Sequence, residues 1–420
     1  MTEGVPRMDR FLKIGGVALM LAVVVAARVL GGTPPKLFGV SAEFILFALT
    51  LLGVALLHHR TFEVAVTGLV FILALKLLTD PGFDLAHHAQ EETPILVNLL
   101  GLLLGFAVLA RHFEQSELPE ILPKFLPSSA LGGFFLLAIV FVLSGFLDNI
   151  AAVMIGATIA MHVYDGHLHL GYVVGLVAAS NAGGAGSVLG DTTTTMMWID
   201  GIAALDVVDA YIGAIPAFLV FAPIASWQQH RHQPIQRDAA PGARVRKERL
   251  FAVALILVGA ITTNIFLDFP AAGVWLAILM SAPFLATDWY VVRRSVKGTC
   301  FLLALVSCAS MMPVNELPPA SWQTAFGLGF VSSVFDNIPL TKLALDQGGF
   351  DWGVLAYAVG FGGSIMWFGS SAGVAVSNIY PRAKDVPGWL KSGWYVPIAY
   401  AVGFFALLAV VGWIPQLPHK

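Results

Sequence analysis

The run LGGFFLLAIVFVLSGFLDNIAAVMIGATIAM, Leu131 to Met161, carries a single charged residue, and that residue opens an Asp-Asn pair, Asp148-Asn149, at mid-run. At about 1.5 Å per residue the run is too long for one upright helix across a hydrocarbon core about 30 Å thick. It therefore reads either as a tilted span or as a re-entrant hairpin with the pair at its tip. A second run, Ala320 to Leu345, is interrupted in the same way by Asp336-Asn337. The local sequences agree: SGFLDNI, Ser144 to Ile150, and SSVFDNI, Ser332 to Ile338, share Ser, Asp, Asn and Ile at identical spacing.

Outward from these two runs the chain stays apolar. Of its 420 residues 57% are hydrophobic and 12% charged, about half the charged share of an average soluble domain, which disfavours ordinary globular folding. The net charge of −3 singles out no nucleic-acid or acidic partner, so the distribution of charge carries the information. Cys300 and Cys308 fall in one apolar segment and read as packing residues rather than a disulfide or metal site. Arg7, Arg10 and Lys13 ahead of GGVALMLAVVVAA suit either a signal peptide or a retained first helix; the apolar stretch running on to Leu30 favours the helix.

Apolar runs near Gly15–Leu30, Leu37–Leu57, Phe62–Thr79 and Pro94–Ala110 give four spans, and a cytoplasmic N-terminus then places Arg60, Arg111 and Lys124 inside. Spans at Gly171–Trp198 and Tyr211–Trp227 lead to a linker holding Arg231, Arg237, Arg244, Arg246, Lys247 and Arg249. That linker reaches the cytoplasm only if Leu131–Met161 does not cross. Beyond it, spans at Leu250–Leu267, Gly273–Val292 and Thr299–Pro313 put Arg293, Arg294 and Lys297 inside. Arg382, Lys384 and Lys391 follow them only if Ala320–Leu345 also enters and leaves on one face. Two hairpins separated by five spans enter from opposite faces, which is an inverted repeat. The expected fold is an all-α polytopic membrane protein of about eleven transmembrane helices and two re-entrant hairpins, with the C-terminus external. Its parts are N-terminal helices over 1–93, a first repeat over 94–228, the basic linker over 229–249 and a second repeat over 250–420.

An aspartate at membrane depth costs roughly 2.5–3.5 kcal/mol on insertion scales, so Asp148, Asp336 and Asp191 stand out as functional candidates. Asp191 lies in the glycine-rich stretch SNAGGAGSVLGDTTTT, Ser180 to Thr195, and a matching break follows in GGSIMWFGSSAG, Gly362 to Gly373. Non-helical backbone at that depth must line a cavity or be buried in protein, and Asn, Ser, Thr and free carbonyls are hard oxygen donors suited to a small hard cation. Up to three carboxylates against one nearby base, Lys342, favour a cation over an anion. Carboxylates close together in low dielectric resist simultaneous ionisation, so a proton can compete with the cation. The bland readings are that Asp148-Asn149 caps a half-helix, that Asp336 pairs with Lys342, and that Thr192 to Thr195 cap the next helix. Glu43 and Glu63 read as interfacial, Lys76 as snorkelling to the outer surface, and histidines such as His58-His59 and His87-His88 as loop residues.

With FLDN at Phe146–Asn149, SNAGGAGSVLGDTTTTMMW at Ser180–Trp198, FDNIPL at Phe335–Leu340 and GGSIMWFGSSAGVA at Gly362–Ala375, the sequence resembles the NhaD-type sodium/proton antiporters of the ion transporter superfamily. The likeness runs from about Pro94 onward. It implies electrogenic exchange of cytoplasmic sodium or lithium for external protons in the inner (plasma) membrane, by a homodimer with a scaffold domain and a moving, elevator-type transport domain. By motif position it implies functional roles for Asp148, Asn149, Asn181, Asp191, Thr193, Thr194, Asp336, Asn337 and Ser364, with sodium held at Asp148, Asn149, Asp191, Asp336 and Asn337. Gly186 and Met366 depart from the pattern. A sodium-coupled carboxylate carrier or an arsenite permease shares the architecture, but the acidic tips argue against an anion. An intramembrane aspartyl protease would need a glycine where Val188 stands, and no Walker loop, metal-spaced cysteine set or dinucleotide motif is present, so neither an enzyme nor a cofactor is expected.

Overall fold

The computed structural model describes residues 5–30, 35–57, 60–236 and 244–416. The pair His58-His59, Arg237 of the linker and the end of the chain past 416 lie outside them, as do the side chains of Arg7, Arg10 and Lys13. The chain forms two compact units. One takes in 1–97, 296–318 and 338–347; the other takes in 98–295, 319–337 and 348–420.

In the first unit α1 (Val5–Leu30) packs with α2 (Ala42–Leu56) and α3 (Thr61–Thr79). A small hairpin, β1 (Lys36–Leu37) and β2 (Val40–Ser41), precedes α2 and turns through Phe38 and Gly39, both at positive φ. The span expected from Leu37 therefore starts five residues later. Glu43 and Lys76, read separately in the sequence, are partners. Glu43 is 1% exposed and pairs with Lys76 at 3.5 Å, because on neighbouring helices each removes the cost of the other's charge. Glu63 does lie at an exposed end, bonded to Lys297 at 2.9 Å. Helix α4 (Leu85–Glu114), whose residues from 98 belong to the second unit, begins nine residues before Pro94, because Asp84 Oδ1 accepts the Ala86 and His87 N–H groups and LAHHAQEE is rich in helix formers. His87 and His88 are thus helical rather than loop residues, and His88 Nε2 lies 3.1 Å from Ser310 Oγ.

The second unit holds α5 (Leu118–Ile121), α6 (Ala130–Ser144), α7 (Asn149–Val163), α8 (Leu170–Gly184), α9 (Thr192–Ile199), α10 (Ala204–Val208), α11 (Ala210–His232), α12 (Lys247–Leu267) and α13 (Pro270–Ser281). Next comes α14 (Trp289–Ser310), of which the residues from 296 belong to the first unit. The expected span Gly273–Val292 ends instead at Ser281, ahead of Pro283. Arg293, Arg294 and Lys297 consequently ride on α14. After it come α15 (Trp322–Val334), α16 (Asn337–Gln347), α17 (Trp352–Gly362), α18 (Ser371–Ile379), α19 (Val386–Ser392) and α20 (Tyr395–Val411); all of α16 but its first residue belongs to the first unit. The same succession occurs twice, helix, Asp-Asn break, helix, then a helix interrupted at glycine: α6 to α9, and α15 to α18.

Among the described residues four helices are long and apolar enough to cross a membrane: Thr61–Thr79, Leu85–Glu114, Ala204–His232 and Lys247–Leu267. A fifth follows if α19 and α20, bent by 57°, count as one span. Shorter apolar helices, among them α6, α7, α8 and α17, account for the remaining apolar sequence, because each expected long run is divided by its break. Large apolar side chains such as Phe251, Ile265, Phe266 and Val410 face outward, as lipid contact requires. The chain is an all-α integral membrane protein.

Glu117, just past α4 in a left-handed conformation, receives the linker after residue 243: its carboxylate accepts the Arg244 N–H at 3.2 Å and pairs with the Arg246 guanidinium. The Arg244 N–H, with Arg246 behind it, holds the Glu117 carboxyl below the usual carboxylate range. A lowered folded-state value means that the attachment is fully present above the ordinary Glu value and is lost as pH falls through the lowered one. Glu117→Gln at neutral pH is expected to reproduce the acid state, seen as faster cleavage of the 229–249 linker in limited proteolysis. Equal cleavage of both proteins would remove this tether.

Candidate functional site

Two interrupted helices meet in the second unit. In the first, α8 stops at Gly184 and the chain restarts as α9 with Asp191 as N-cap, its Oδ1 accepting the Thr193 N–H at 2.9 Å. The carbonyls freed by the break are satisfied by side chains, as a buried break demands. Thr194 Oγ1 donates to Ser187 O (2.6 Å) or Asp191 O (2.9 Å), Thr195 Oγ1 to Val188 O (2.8 Å) or Asp191 O (2.9 Å), and Tyr211 Oη to Gly183 O (2.9 Å). In the second, α17 stops at Gly362, a short turn follows, and α18 restarts at Ser371 with Ser370 as N-cap, accepting the Gly373 N–H at 3.3 Å. Trp389 Nε1 donates to Ile365 O inside that break at 3.1 Å.

The breaks press on the helices before the Asp-Asn pairs in matching ways. A methyl group at Gly183 would collide with the Phe141 carbonyl and one at Gly190 with that of Ser144; one at Gly362 would collide with Gly329 O and one at Gly369 with Ser333 O, Ser332 O lying slightly farther away. Within each half the glycines are seven residues apart and the nearest carbonyls about one helical turn apart, three residues in the first half and four in the second, so the packing approximately repeats.

A buried polar relay joins the two halves. Asn149, the first residue of α7, donates from Nδ2 to Asp191 Oδ2 at 3.2 Å and to Asn181 Oδ1 at 3.3 Å. Asn181 donates from Nδ2 to Ser370 Oγ at 2.9 Å and to Ser364 Oγ at 3.0 Å. Asn181, Ser364 and Ser370 are completely buried and Asp191 is 1% exposed. None of the ion pairs among the described residues involves Asp191. At the centre of the helices, then, a carboxylate is held by an amide and a backbone N–H with no positive side chain beside it. That arrangement calls for a cation or a proton as counter-charge.

Of the residues singled out in the sequence, Asn149, Asn181, Asp191 and Ser364 come together in this relay, and Thr193 joins it through its backbone. The Thr194 hydroxyl is spent within its own break. Asp148 is the half-buried N-cap of α7, accepting the Ile150 N–H at 3.3 Å, so the capping reading of that residue is geometrically satisfied. Asp336 precedes α16 as Asp148 precedes α7, and Asn337, its first residue, is 2% exposed. Lys342, weighed above as a partner for Asp336, pairs with Glu92 at 3.0 Å and Asp346 at 2.8 Å. Cys300 and Cys308 are both free.

Sequence reasoning missed Ser370 and Tyr211. Ser370 was detectable: Gly183-Gly184 precedes Gly190-Asp191 by the same interval that separates Gly362-Gly363 from Gly369-Ser370. Tyr211 explains the departure at Gly186, because its ring occupies the space a side chain at 186 would take.

Apolar helices around two breaks, with the buried carboxylate of Asp191 held by neutral partners where they meet, are the arrangement of a membrane transporter. No family model matches the chain. It is similar to sodium/proton antiporter 1 of Arabidopsis thaliana, 24% identical over 88% of this chain and 72% of that protein. It is also similar to the Na(+)/H(+) antiporters NhaD of Vibrio parahaemolyticus (25%, over 80% of this chain and 95% of that one) and Halomonas elongata (25%, over 84% and 83%). The chain is a relative of the NhaD-type antiporters.

Proposed function

We propose that this protein exchanges sodium or lithium ions for protons across the plasma membrane, one Asp-centred site alternating between the two faces. The observation that carries the reading is Asp191, buried beside Asn149 and Asn181 with neutral partners alone. Such a carboxylate holds a cation or a proton but not both, and that exclusion is the requirement of exchange. Asp148, Asn149, Asn181, Asp191, Thr193, Thr194, Asp336, Asn337 and Ser364 are the proposed site, sodium taking oxygens at Asp148, Asn149, Asp191, Asp336 and Asn337.

The twofold succession of broken elements and the matched glycine contacts support an inverted repeat, with the Asp-Asn pairs at the tips of hairpins entering from opposite faces. In this reading eleven spans surround the hairpins, residues 1–93 form a scaffold, repeats occupy 94–228 and 250–420, the linker 229–249 and the N-terminus are cytoplasmic, the C-terminus is external, and the protein works as a homodimer by elevator movement. Everted vesicles test the function. Sodium or lithium is expected to dissipate a preformed pH gradient at neutral or alkaline pH. No dissipation by either ion, with the protein present in the membrane, would refute the proposal.

A further inference from the structure

Ser370 stands in the second half where Asp191 stands in the first. Each follows a glycine pressed against the helix that precedes an Asp-Asn pair, each is the N-cap of the restarted helix, and each receives the side-chain amide of an asparagine: Asn149 on Asp191, Asn181 on Ser370. The chain of bonds has a direction. Asp191 can only accept at Oδ2, so Asn149 presents its NH2 group there and to Asn181 Oδ1; Asn181 in turn spends its two amide hydrogens on Ser364 and Ser370. If Asn181 were turned over, two NH2 groups would face each other.

We propose that Ser370 is a positioning residue of the cation site: with Ser364 it absorbs the amide hydrogens of Asn181 and so keeps the Asn181 carbonyl oxygen on the side of Asn149 and Asp191. Its being a serine also leaves Asp191 as the one carboxylate borne by the two helix restarts. The inference rests on the proposed cation exchange and adds a residue that the sequence motifs did not assign.

Full-length protein reconstituted in liposomes tests it, with the half-saturating sodium concentration and the maximal rate measured separately. Ser370→Gly removes the hydroxyl and costs a helix N-cap only a few tenths of a kcal/mol, whereas Ser370→Thr keeps the hydroxyl. The glycine variant is expected to need about tenfold more sodium for half-saturation with a maximal rate within about twofold of the parent, and the threonine variant to recover most of that loss. Sodium protection against heat unfolding supplies a readout independent of turnover: it shifts to higher sodium in the glycine variant and not in the threonine one. Unchanged half-saturation and protection in the glycine variant overturn the proposal. So does a fall in maximal rate alone, which a purely structural cap would produce. Absence of sodium-driven exchange by the parent protein refutes the functional reading itself, whereas exchange by the parent that is indifferent to residue 370 refutes this inference alone.

Discussion

Asp191→Asn is expected to lower sodium-driven proton movement on the order of 100-fold or more while leaving the protein folded. Two features separate charge from structure at this position. Asparagine is as good an N-cap as aspartate, so the Thr193 N–H retains an acceptor at the start of α9. The side chain also keeps its volume in a site that is 1% exposed, so no cavity arises; the one polar change is that its NH2 group stands where Oδ2 accepted the Asn149 amide, which must turn over to meet it. What disappears is the negative charge, and with it the ability to hold either a cation or a proton. Expression, detergent thermal stability and vesicle exchange measured together decide the matter. A folded Asp191→Asn protein that exchanges at the parental rate, beside an inactive Asp148→Asn protein, would move the working carboxylate to the N-cap of α7.

Lys342→Met is expected to destabilise the protein by roughly 1.5–3 kcal/mol, because it removes a buried ammonium with its two charge-assisted bonds while the carboxylates left behind are part-exposed. The Lys342 side chain is 3% exposed and bridges Glu92, 15% exposed, and Asp346, 24% exposed. Without the ammonium, two carboxylates are left facing each other in a low-dielectric setting, with Glu92 Oε2 already lacking a hydrogen-bond partner. Adding Asp346→Asn to the methionine variant is expected to recover part of the loss, since one of the stranded charges is then removed. Thermal unfolding in detergent measures both. A single variant as stable as the parent would show that water reaches the cluster and screens it.

Much of the candidate site was legible in the sequence because it is built from residues that are anomalous in apolar surroundings. Asp148-Asn149, Asp336-Asn337 and the glycine-rich stretch before Asp191 each mark a place where a helix stops or restarts, and the structure puts helix boundaries at all three. Ser370 escaped because serine is unremarkable among small residues; only its position relative to the preceding glycines sets it apart. Tyr211 escaped for a different reason: its ring enters the site from a helix that looks uniformly apolar, and which face of such a helix turns inward is decided by packing, not by periodicity. The pairing of Glu43 with Lys76 escaped because each was weighed alone near a span end, while the pair joins residues far apart in the chain. The grouping of 296–318 and 338–347 with the N-terminal helices is likewise a matter of long-range contact, which no run of apolar residues encodes.

The ring beside Gly186 belongs to α11, not to the break it covers. Bulk that a large side chain at 186 would carry along with the break is thereby mounted on the neighbouring helix, and the break itself presents bare backbone to a flat aromatic face. In mechanical terms the ring and the bare backbone form a flat seat, with no side chain of the break keyed into a pocket of α11 at this point. One hydrogen bond, from Tyr211 Oη to Gly183 O, ties that ring to the break, and Ser187 Oγ ties the break in turn to Gly145 O at the end of α6.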